Sequence, residues 1–207
     1  MVDVEGMRKA VSHLKKSDPV LRAIIERAGA CRMTYNPPEF HSLAEAIVYQ
    51  QLHGKAALTI FNRLTALAGS PLTPTGILKL SDQQLREAGL SRQKSAYVKD
   101  LATKTREGLL DFSALDALPD AEVIEQLTQV KGIGVWTAHM FLMFSLKRAD
   151  VLPTGDYGIQ AAMKKHYKKR KMPKPHIMEK IAKPWSPYRS IACWYLWKSL
   201  DVKMMEQ

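Results

Sequence analysis

The sequence predicts an all-α protein, and two observations support that fold class. Apolar residues recur at helical spacing through nearly the whole chain, as in the segment from about residue 55 to 67, where Ala57, Ile60, Phe61 and Leu64 form one stripe. No pair of segments alternates clearly between apolar and polar residues, and only short pieces near the N-terminus are candidates for strands. The chain has 207 residues, 46% of them hydrophobic, which suffices for one large domain or for two small lobes with a sizeable core.

Capping residues predict where several helices begin. Ser42 and Ser81 each stand three residues before a Glu or Gln, which is the capping-box pattern that opens a helix. Ser91 can cap the next helix, and Pro119 with Asp120 begins another that runs to about residue 129. These signals predict a series of helices joined by short loops.

Positive charge is concentrated towards the end of the sequence. The net charge is +11, and residues 161–207 contribute +9 of it, with 12 Lys and Arg against 3 Asp and Glu. This asymmetry favours a polyanionic partner, with nucleic acid first and an anionic membrane surface second. A solvated basic face is the alternative.

Two features argue against other classes of protein. No run of eighteen apolar residues is present and the acidic N-terminal segment has no apolar core, so we expect neither a transmembrane helix nor a secretory signal. Cys31 and Cys193 are the only cysteines, too few for a four-cysteine iron–sulfur or zinc site. We expect two free thiols in a reducing compartment, with a disulfide as the alternative. The expected location is the cytoplasm or nucleoid of a prokaryote, or the nucleus of a eukaryote.

A tight turn is predicted between two helices at residues 127–138. Gly132 and Gly134 flank Ile133, so the backbone can turn through conformations that other residues avoid while Ile133 tucks between the helices. The amides after Gly132 then lie at the N-terminus of the next helix, where they suit a phosphate. A plain helical hairpin without a ligand is the alternative.

Asp156 follows a Pro-Thr-Gly loop and opens a helix that starts near Tyr157. A carboxylate at this position can accept amide hydrogen bonds, which keep it ionised. Asp156 is therefore either a simple helix cap or a fixed anion at the mouth of a DNA-binding cleft.

The hairpin and the aspartate together resemble a known family. Residues 130–138, followed by 152–159, are similar to the helix-hairpin-helix, Gly/Pro-rich loop and aspartate signature of the base-excision glycosylases (the HhH-GPD superfamily). Three further segments, at 46–57, 89–94 and 184–190, match the 3-methyladenine DNA glycosylase II branch in the family's order. The resemblance implies an all-α, two-lobed fold with the active site in the cleft between the lobes. It implies one glycosylase unit over 1–207, with a central lobe at 40–150 that holds the hairpin at 128–137, and a second lobe formed by 1–39 and 151–207.

The departures from the family pattern indicate a monofunctional enzyme. Bifunctional relatives such as endonuclease III carry a lysine just before the Thr-Ala of the second hairpin helix, and Trp136 stands there in this chain. No amine is then available for a Schiff base. The cysteine cluster of endonuclease III is absent as well, so the resemblance implies no iron–sulfur cluster and no required cofactor.

The resemblance also implies roles for individual residues. Asp156 is the expected catalytic carboxylate, and the expected base pocket is formed by Trp136, Met140, Tyr157 and Trp185, each of which could instead be a core residue. The expected DNA contacts are Gln50, Gln51, Leu52, His53, Lys55, Lys131, Gly132, Ile133, Gly134, Thr137 and Arg189. Within this set, Gln51 or Leu52 would fill the gap that an extruded nucleotide leaves, and His53 is either a probe of the groove or an exposed loop histidine.

Two further features carry more than one interpretation. The carbonyls of Thr128, Val130 and Ile133 match those that bind a monovalent cation, Na⁺ or K⁺, in the family's hairpin. The Lys164–Lys171 run could add phosphate contacts, and its second half also resembles a nuclear-localisation patch.

The sequence therefore predicts a monomeric, monofunctional glycosylase that removes alkylated purines such as 3-methyladenine and 7-methylguanine from double-stranded DNA. One alternative is a non-catalytic helix-hairpin-helix module that binds DNA or senses damage. The other is a related glycosylase that acts on a different lesion.

Overall fold

The computed structural model describes residues 4–200, and within that range the chain is helical and contains no β-strand. The predicted fold class is confirmed. The α-helices are α1 (Val4–Ser17), α2 (Pro19–Ala28), α3 (Phe40–Tyr49), α4 (Gly54–Ala68), α5 (Pro74–Leu78), α6 (Asp82–Glu87), α7 (Arg92–Arg106), α8 (Asp120–Thr128), α9 (Val135–Phe144), α10 (Tyr157–His166), α11 (Pro175–Ala182) and α12 (Arg189–Lys198). Short 3-10 helices lie at Leu115–Ala117 and Lys183–Trp185. Among these helices, none has the length and apolar character needed to cross a lipid bilayer.

The structure tests the predicted helix starts individually. Ser81 caps α6 with a complete capping box, because its hydroxyl accepts from the Gln84 amide and its own amide donates to the Gln84 side chain. Ser91 caps α7 as predicted. The capping box predicted at Ser42 is wrong: α3 already begins at Phe40. Burial of the Phe40 side chain in the core fixes that earlier start, and Ser42 is buried inside the helix.

The described chain divides into two compact units. The first, Asn36–Phe141, is organised around α7, which packs against α3, α5 and α6, while α4 packs on α3. Its fully buried side chains include Leu43, Ile47, Leu64, Ile77, Leu101 and Leu115. The apolar stripes of these helices supply the core, as the helical periodicity of the sequence predicts.

The second unit contains residues 4–35 and 142–200. Here α12 packs against α2 and α10, and α1 packs on α2. Asp18 links three of its segments: its Oδ1 caps α2 by accepting the Val20 and Leu21 amides, and its Oδ2 accepts the Tyr167 hydroxyl and the Trp185 indole N–H. The lobe limits inferred from the family resemblance, 40–150 and 1–39 with 151–207, stay a prediction.

Candidate active site and DNA interface

Asp156 is the N-cap of α10, in the second unit. Its Oδ1 accepts the Ile159 amide at 2.7 Å and the Trp197 indole N–H at 2.8 Å, and the residue is only 8% exposed. The predicted helix cap at Asp156 and the predicted helix start at Tyr157 are confirmed. Because the same oxygen accepts the helix amide and the indole N–H, the carboxylate is held in one orientation.

Trp197 is a residue that the sequence analysis missed. Its indole stacks on Phe144, with ring centroids 6.0 Å apart and an interplanar angle of 29°. Gly158 makes room for it, because a Cβ at this position would lie 2.9 Å from Trp197 Cδ1 and 3.1 Å from Asp156 Oδ1. The glycine two residues after the aspartate was a visible signal of close approach, but sequence spacing alone cannot connect it with an indole 41 residues beyond Asp156.

The segment from Gln50 to His53, which we call the 50–53 loop, joins α3 to α4 in the first unit. Gln51 has a φ of 55°, and Leu52 and His53 are exposed. The Lys94 ammonium donates to the carbonyls of Val48 and Gln50, at 2.6 and 2.7 Å. This closes the C-terminal end of α3 with a cation, the charge that the helix dipole favours there, while partial burial lowers the pKa of Lys94.

A hydrogen bond connects the 50–53 loop to the hairpin. The Gln50 side-chain amide donates to the Gly132 carbonyl at 2.9 Å. Gly132 has a φ of 82°, and the Tyr97 ring occupies the space of the missing side chain, since a Cβ there would lie 2.1 Å from Tyr97 Cδ2. Only glycine satisfies both requirements. The loop and the hairpin turn are thus fixed to each other through Gln50.

The hairpin between α8 and α9 uses some of its own amides internally. Ile133 is buried, as predicted, and its amide donates to the Val130 carbonyl. The Lys131 amide donates to Asp100 at 2.9 Å. Burial raises the pKa of Asp100, but hydrogen bonds from Lys104 and from the Lys131 amide outweigh it and hold the pKa below its usual range. The first hydrogen bond within α9 runs from the Ala138 amide to the Gly134 carbonyl, so the amides offered to a phosphate include those of Gly134 and Val135.

The residues expected in the base pocket fall into two groups. Trp136 is 48% exposed at the start of α9, Met140 follows one turn later and is half-buried, and Tyr157 is 77% exposed beside Asp156. Trp185 does not fit the expectation, because it is fully buried and its indole N–H donates to Asp18. A ring with no exposed face cannot stack on a base, so we correct Trp185 to a core residue.

Arg189 also departs from its expected role. Its guanidinium forms a two-pronged pair with Asp150, with Nε to Oδ1 at 2.7 Å and Nη2 to Oδ2 at 2.9 Å, and the Ser186 hydroxyl also donates to Asp150. Burial raises the pKa of Asp150, but the hydrogen bonds from Arg189 and Ser186 and the charge of Arg189 together outweigh it and lower the pKa overall. A guanidinium held in this way braces the start of α12, so we no longer assign it to DNA.

The other expected DNA contacts differ in exposure. Lys55, Lys131, Gly132 and Gly134 are exposed, whereas Ile133 and Thr137 are buried. The Ile133 amide already donates to Val130, so of these two only the Thr137 backbone amide can meet a phosphate. Lys131 Nζ lies 3.8 Å from Asp100 Oδ1, a loose contact that leaves the side chain 70% exposed. These positions remain predictions as DNA contacts.

Comparison with known proteins identifies the family. A family model described as "HhH-GPD superfamily base excision DNA repair protein" matches residues 44–187. The chain belongs to this superfamily. DNA-3-methyladenine glycosylase 1 of Schizosaccharomyces pombe is 35% identical over 203 residues, which cover 95% of this chain and 89% of the relative.

Two solved structures of the superfamily share the fold. The DNA-3-methyladenine glycosidase of Bacillus halodurans matches with a TM-score of 0.85 and 39% identity, over 95% of this chain and 91% of the other. The S. pombe 3-methyladenine DNA glycosylase, in complex with abasic DNA, matches with a TM-score of 0.80 and 35% identity, over 92% and 96%. The predicted family and enzyme class, a base-excision DNA glycosylase, are confirmed.

The remaining expectations concern metal ions and the two cysteine thiols. Within residues 4–200, no three His, Cys, Asp or Glu side chains converge to hold an ion. Cys31 and Cys193 are free thiols, as predicted, and burial raises the pKa of each, that of Cys31 to about 11. The carbonyls of Thr128, Val130 and Ile133 lie at the hairpin turn, and that of Val130 already accepts the Ile133 amide. A backbone carbonyl can accept a second partner, so a monovalent cation there stays a prediction.

Proposed function

We propose that the protein hydrolyses the N-glycosidic bond of alkylated purines, of the 3-methyladenine and 7-methylguanine type, in double-stranded DNA. The product is an abasic site, the starting point of base excision repair. The observation that carries this proposal is Asp156, a buried carboxylate fixed by a backbone amide and by the Trp197 indole. Relatives that carry the name DNA-3-methyladenine glycosylase over nearly the same length of chain support it.

The chemistry needs little general-acid help. A purine alkylated at N3 or N7 carries a positive charge, and it leaves as a neutral base when it takes the electrons of the glycosidic bond. Positive charge then develops on the sugar, where a fixed carboxylate stabilises it. Water adds to C1′ and loses a proton, for which Asp156 is the acceptor we assign. Because the Oδ1 atom is held by two donors, little reorganisation of Asp156 is needed during the step.

The base must first leave the helical stack. Extrusion costs a few kcal/mol, and least for a damaged base. We assign the 50–53 loop to the minor groove, with Leu52 or Gln51 filling the gap and His53 probing the groove. Leu52 is 39% exposed, and the left-handed backbone of Gln51 shapes the turn that presents it. Hydrogen bonds with Lys94 and Gly132 fix the Gln50 end of this loop.

Exposed aromatic rings suit a flat cationic base. Trp136 and Tyr157 present exposed rings, and a cation bound over an aromatic face gains about 0.5–2 kcal/mol. Trp136 also stands where bifunctional relatives carry lysine, so we propose excision without strand cleavage. We expect a monomer that acts in the nucleoid or cytoplasm of a prokaryote, or in the nucleus of a eukaryote. We expect no cofactor other than a monovalent cation at the hairpin.

The test is base release from duplexes that carry one lesion each: 7-methylguanine, 3-methyladenine, ethenoadenine, hypoxanthine or 8-oxoguanine. Wild type and Asp156→Asn are compared with and without heat or alkali, which reveal abasic sites. Release of a methylated purine by wild type alone, without cleavage in the untreated lane, supports the proposal. Release of only oxidised or deaminated bases would overturn the substrate, and binding of all duplexes without release would leave a DNA-binding module.

A further inference from the structure

A groove with dense positive charge lies along the exposed flank of α10. We call it the basic groove, and it is lined mainly by Tyr157, Lys164, Lys165, Lys168, Lys169 and Arg170. Its volume is about 540 Å³. Lys168 has a φ of 51° and the Lys169 amide donates back to the Lys164 carbonyl, so the chain leaves the helix and turns beside it. That turn places charges from the helix and from the following segment around one space.

The stability of the fold does not account for this charge. No acidic residue lines the groove, and Lys164, Lys168, Lys169 and Arg170 make no ion pair with any residue in the described range 4–200. Elsewhere lysines do pair, as Lys15 does with Glu26 and Lys104 does with Asp100. Lys164 and Lys165 stand in the last turn of α10, where the helix dipole favours a cation, but Lys168, Lys169 and Arg170 lie beyond the end of the helix. Positive charge gathered there suits an anionic ligand.

The dimensions fit a nucleic-acid backbone. Tyr157 and Lys165 are eight residues apart on one face of α10, about 12 Å at the helical rise of 1.5 Å per residue. One strand of B-DNA carries a phosphate every 3.4 Å or so of helix axis, but the strand also winds around that axis, so a straight face of this length meets about two or three phosphates. Lysine binds phosphate as a point charge without reading the base. Ala161 lies between Tyr157 and Lys165, and its small side chain leaves the groove open.

We propose that the basic groove binds successive phosphates of one DNA strand and extends the enzyme's footprint beyond the lesion. The proposal rests on the proposed function, because Asp156 caps α10 and the helix therefore connects the basic groove to the residue that we assign to the base-bearing strand. Its role is to lengthen the time spent on DNA, with no part in the chemical step. The exposed Tyr157 ring stands at the end of the groove nearest Asp156, where it can stack on a sugar or base.

The experiment removes the groove's charge from the full chain. Lys164, Lys168, Lys169 and Arg170 are all replaced by Gln, and a matched control replaces Lys16, Lys174, Lys180 and Lys183, which are exposed and lie outside the groove. Binding to an undamaged duplex of about 24 base pairs is measured by fluorescence anisotropy from about 50 to 200 mM salt. We expect the groove variant to bind at least about tenfold more weakly, with a salt slope about 2–3 smaller, and the control to change by less than about threefold.

Equal losses in the two variants would overturn the proposal, because general charge would then suffice. Wild-type binding by the groove variant would also overturn it and would leave the basic run to another partner, such as a receptor protein. Base release from a methylated duplex, measured with saturating enzyme in a single turnover, should keep its wild-type rate in the groove variant. If wild type releases no base while the groove variant still loses binding, the proposed function fails and the groove stands.

Discussion

Asp18 and Asp156 are two buried aspartates of the second unit, and each is the N-cap of a helix. A comparison of the two distinguishes a structural aspartate from the one that we propose to be catalytic. Each caps a helix and each accepts a tryptophan indole N–H, from Trp185 and Trp197 respectively. Asp18 lies among core residues, since Trp185 has no exposed surface. Asp156 is followed by Tyr157, an aromatic ring that is 77% exposed, whereas Asp18 is followed by an exposed proline. A cap with an indole partner is thus a structural device, and the exposed aromatic ring beside Asp156 distinguishes the one that we assign to the substrate.

Asp156→Asn should show the largest difference between the two aspartates. Asparagine still caps a helix and still accepts the indole N–H, so we expect an intact fold and unchanged DNA binding. Loss of the negative charge should lower the single-turnover rate of base release by about 10²–10³-fold, the usual size for one preorganised electrostatic contact. A folded Asp156→Asn protein that excises 7-methylguanine at the wild-type rate would remove Asp156 from the chemistry.

Asp18→Ala should instead cost stability. The substitution removes the cap of α2 and leaves the Tyr167 hydroxyl and the Trp185 indole without their acceptor, which together should cost about 2–3 kcal/mol. Urea unfolding followed by circular dichroism measures the loss. The rate of base release per folded molecule should not change, and Asp18→Asn, which keeps one acceptor oxygen, should lose less stability. A lower rate in folded Asp18→Asn would contradict the distinction.

Trp197→Phe tests whether the indole positions the carboxylate. Phenylalanine keeps a ring to stack on Phe144 but cannot donate to Asp156 Oδ1. We expect the rate of base release at saturating enzyme to fall about tenfold while the Kd for DNA changes by less than about twofold, because a poorly aligned group loses rate rather than binding. Trp185→Phe is the matched control: it should lower stability by about 1–2 kcal/mol through Asp18 and leave the rate unchanged.

Gly158→Ala should have the smallest effect. The added methyl would lie 2.9 Å from Trp197 Cδ1, so the indole must shift by a few tenths of an ångström. We expect a loss of about three- to fivefold in single-turnover rate, consistent with the sensitivity of catalysis to small displacements. Gly155→Ala, whose methyl would meet nothing within 4 Å, serves as the control on the other side of Asp156. Equal rates for both variants would show that this displacement does not matter.

Local patterns predicted the features that depend on neighbours in sequence. The cap at Asp156, the capping box at Ser81 and the buried Ile133 of the hairpin all depend on residues within a few positions, and the sequence holds that information. Ser42 was misjudged because burial of Phe40 overrides a capping pattern. Competition between a local signal and tertiary packing decides such helix ends.

Contacts between residues that are distant in sequence could not be predicted, for a different reason. Arg189 resembled a phosphate ligand until the fold brought Asp150 against it, and Trp185 resembled a pocket wall until Asp18 accepted its N–H. Each of these partners lies 39 or more residues away in sequence. Side-chain type and spacing predict which residues can do chemistry, and only the packed structure says which are already engaged.

The contact between Asp156 and Trp197 also sets an order of events during protein synthesis. Residues 36–141 are continuous and can fold as they leave the ribosome, whereas the second unit needs residues 4–35 together with 142–200. Asp156 emerges well before the indole that orients it. A chain that ends between residues 156 and 197 therefore has the aspartate but lacks the indole that holds its Oδ1 atom.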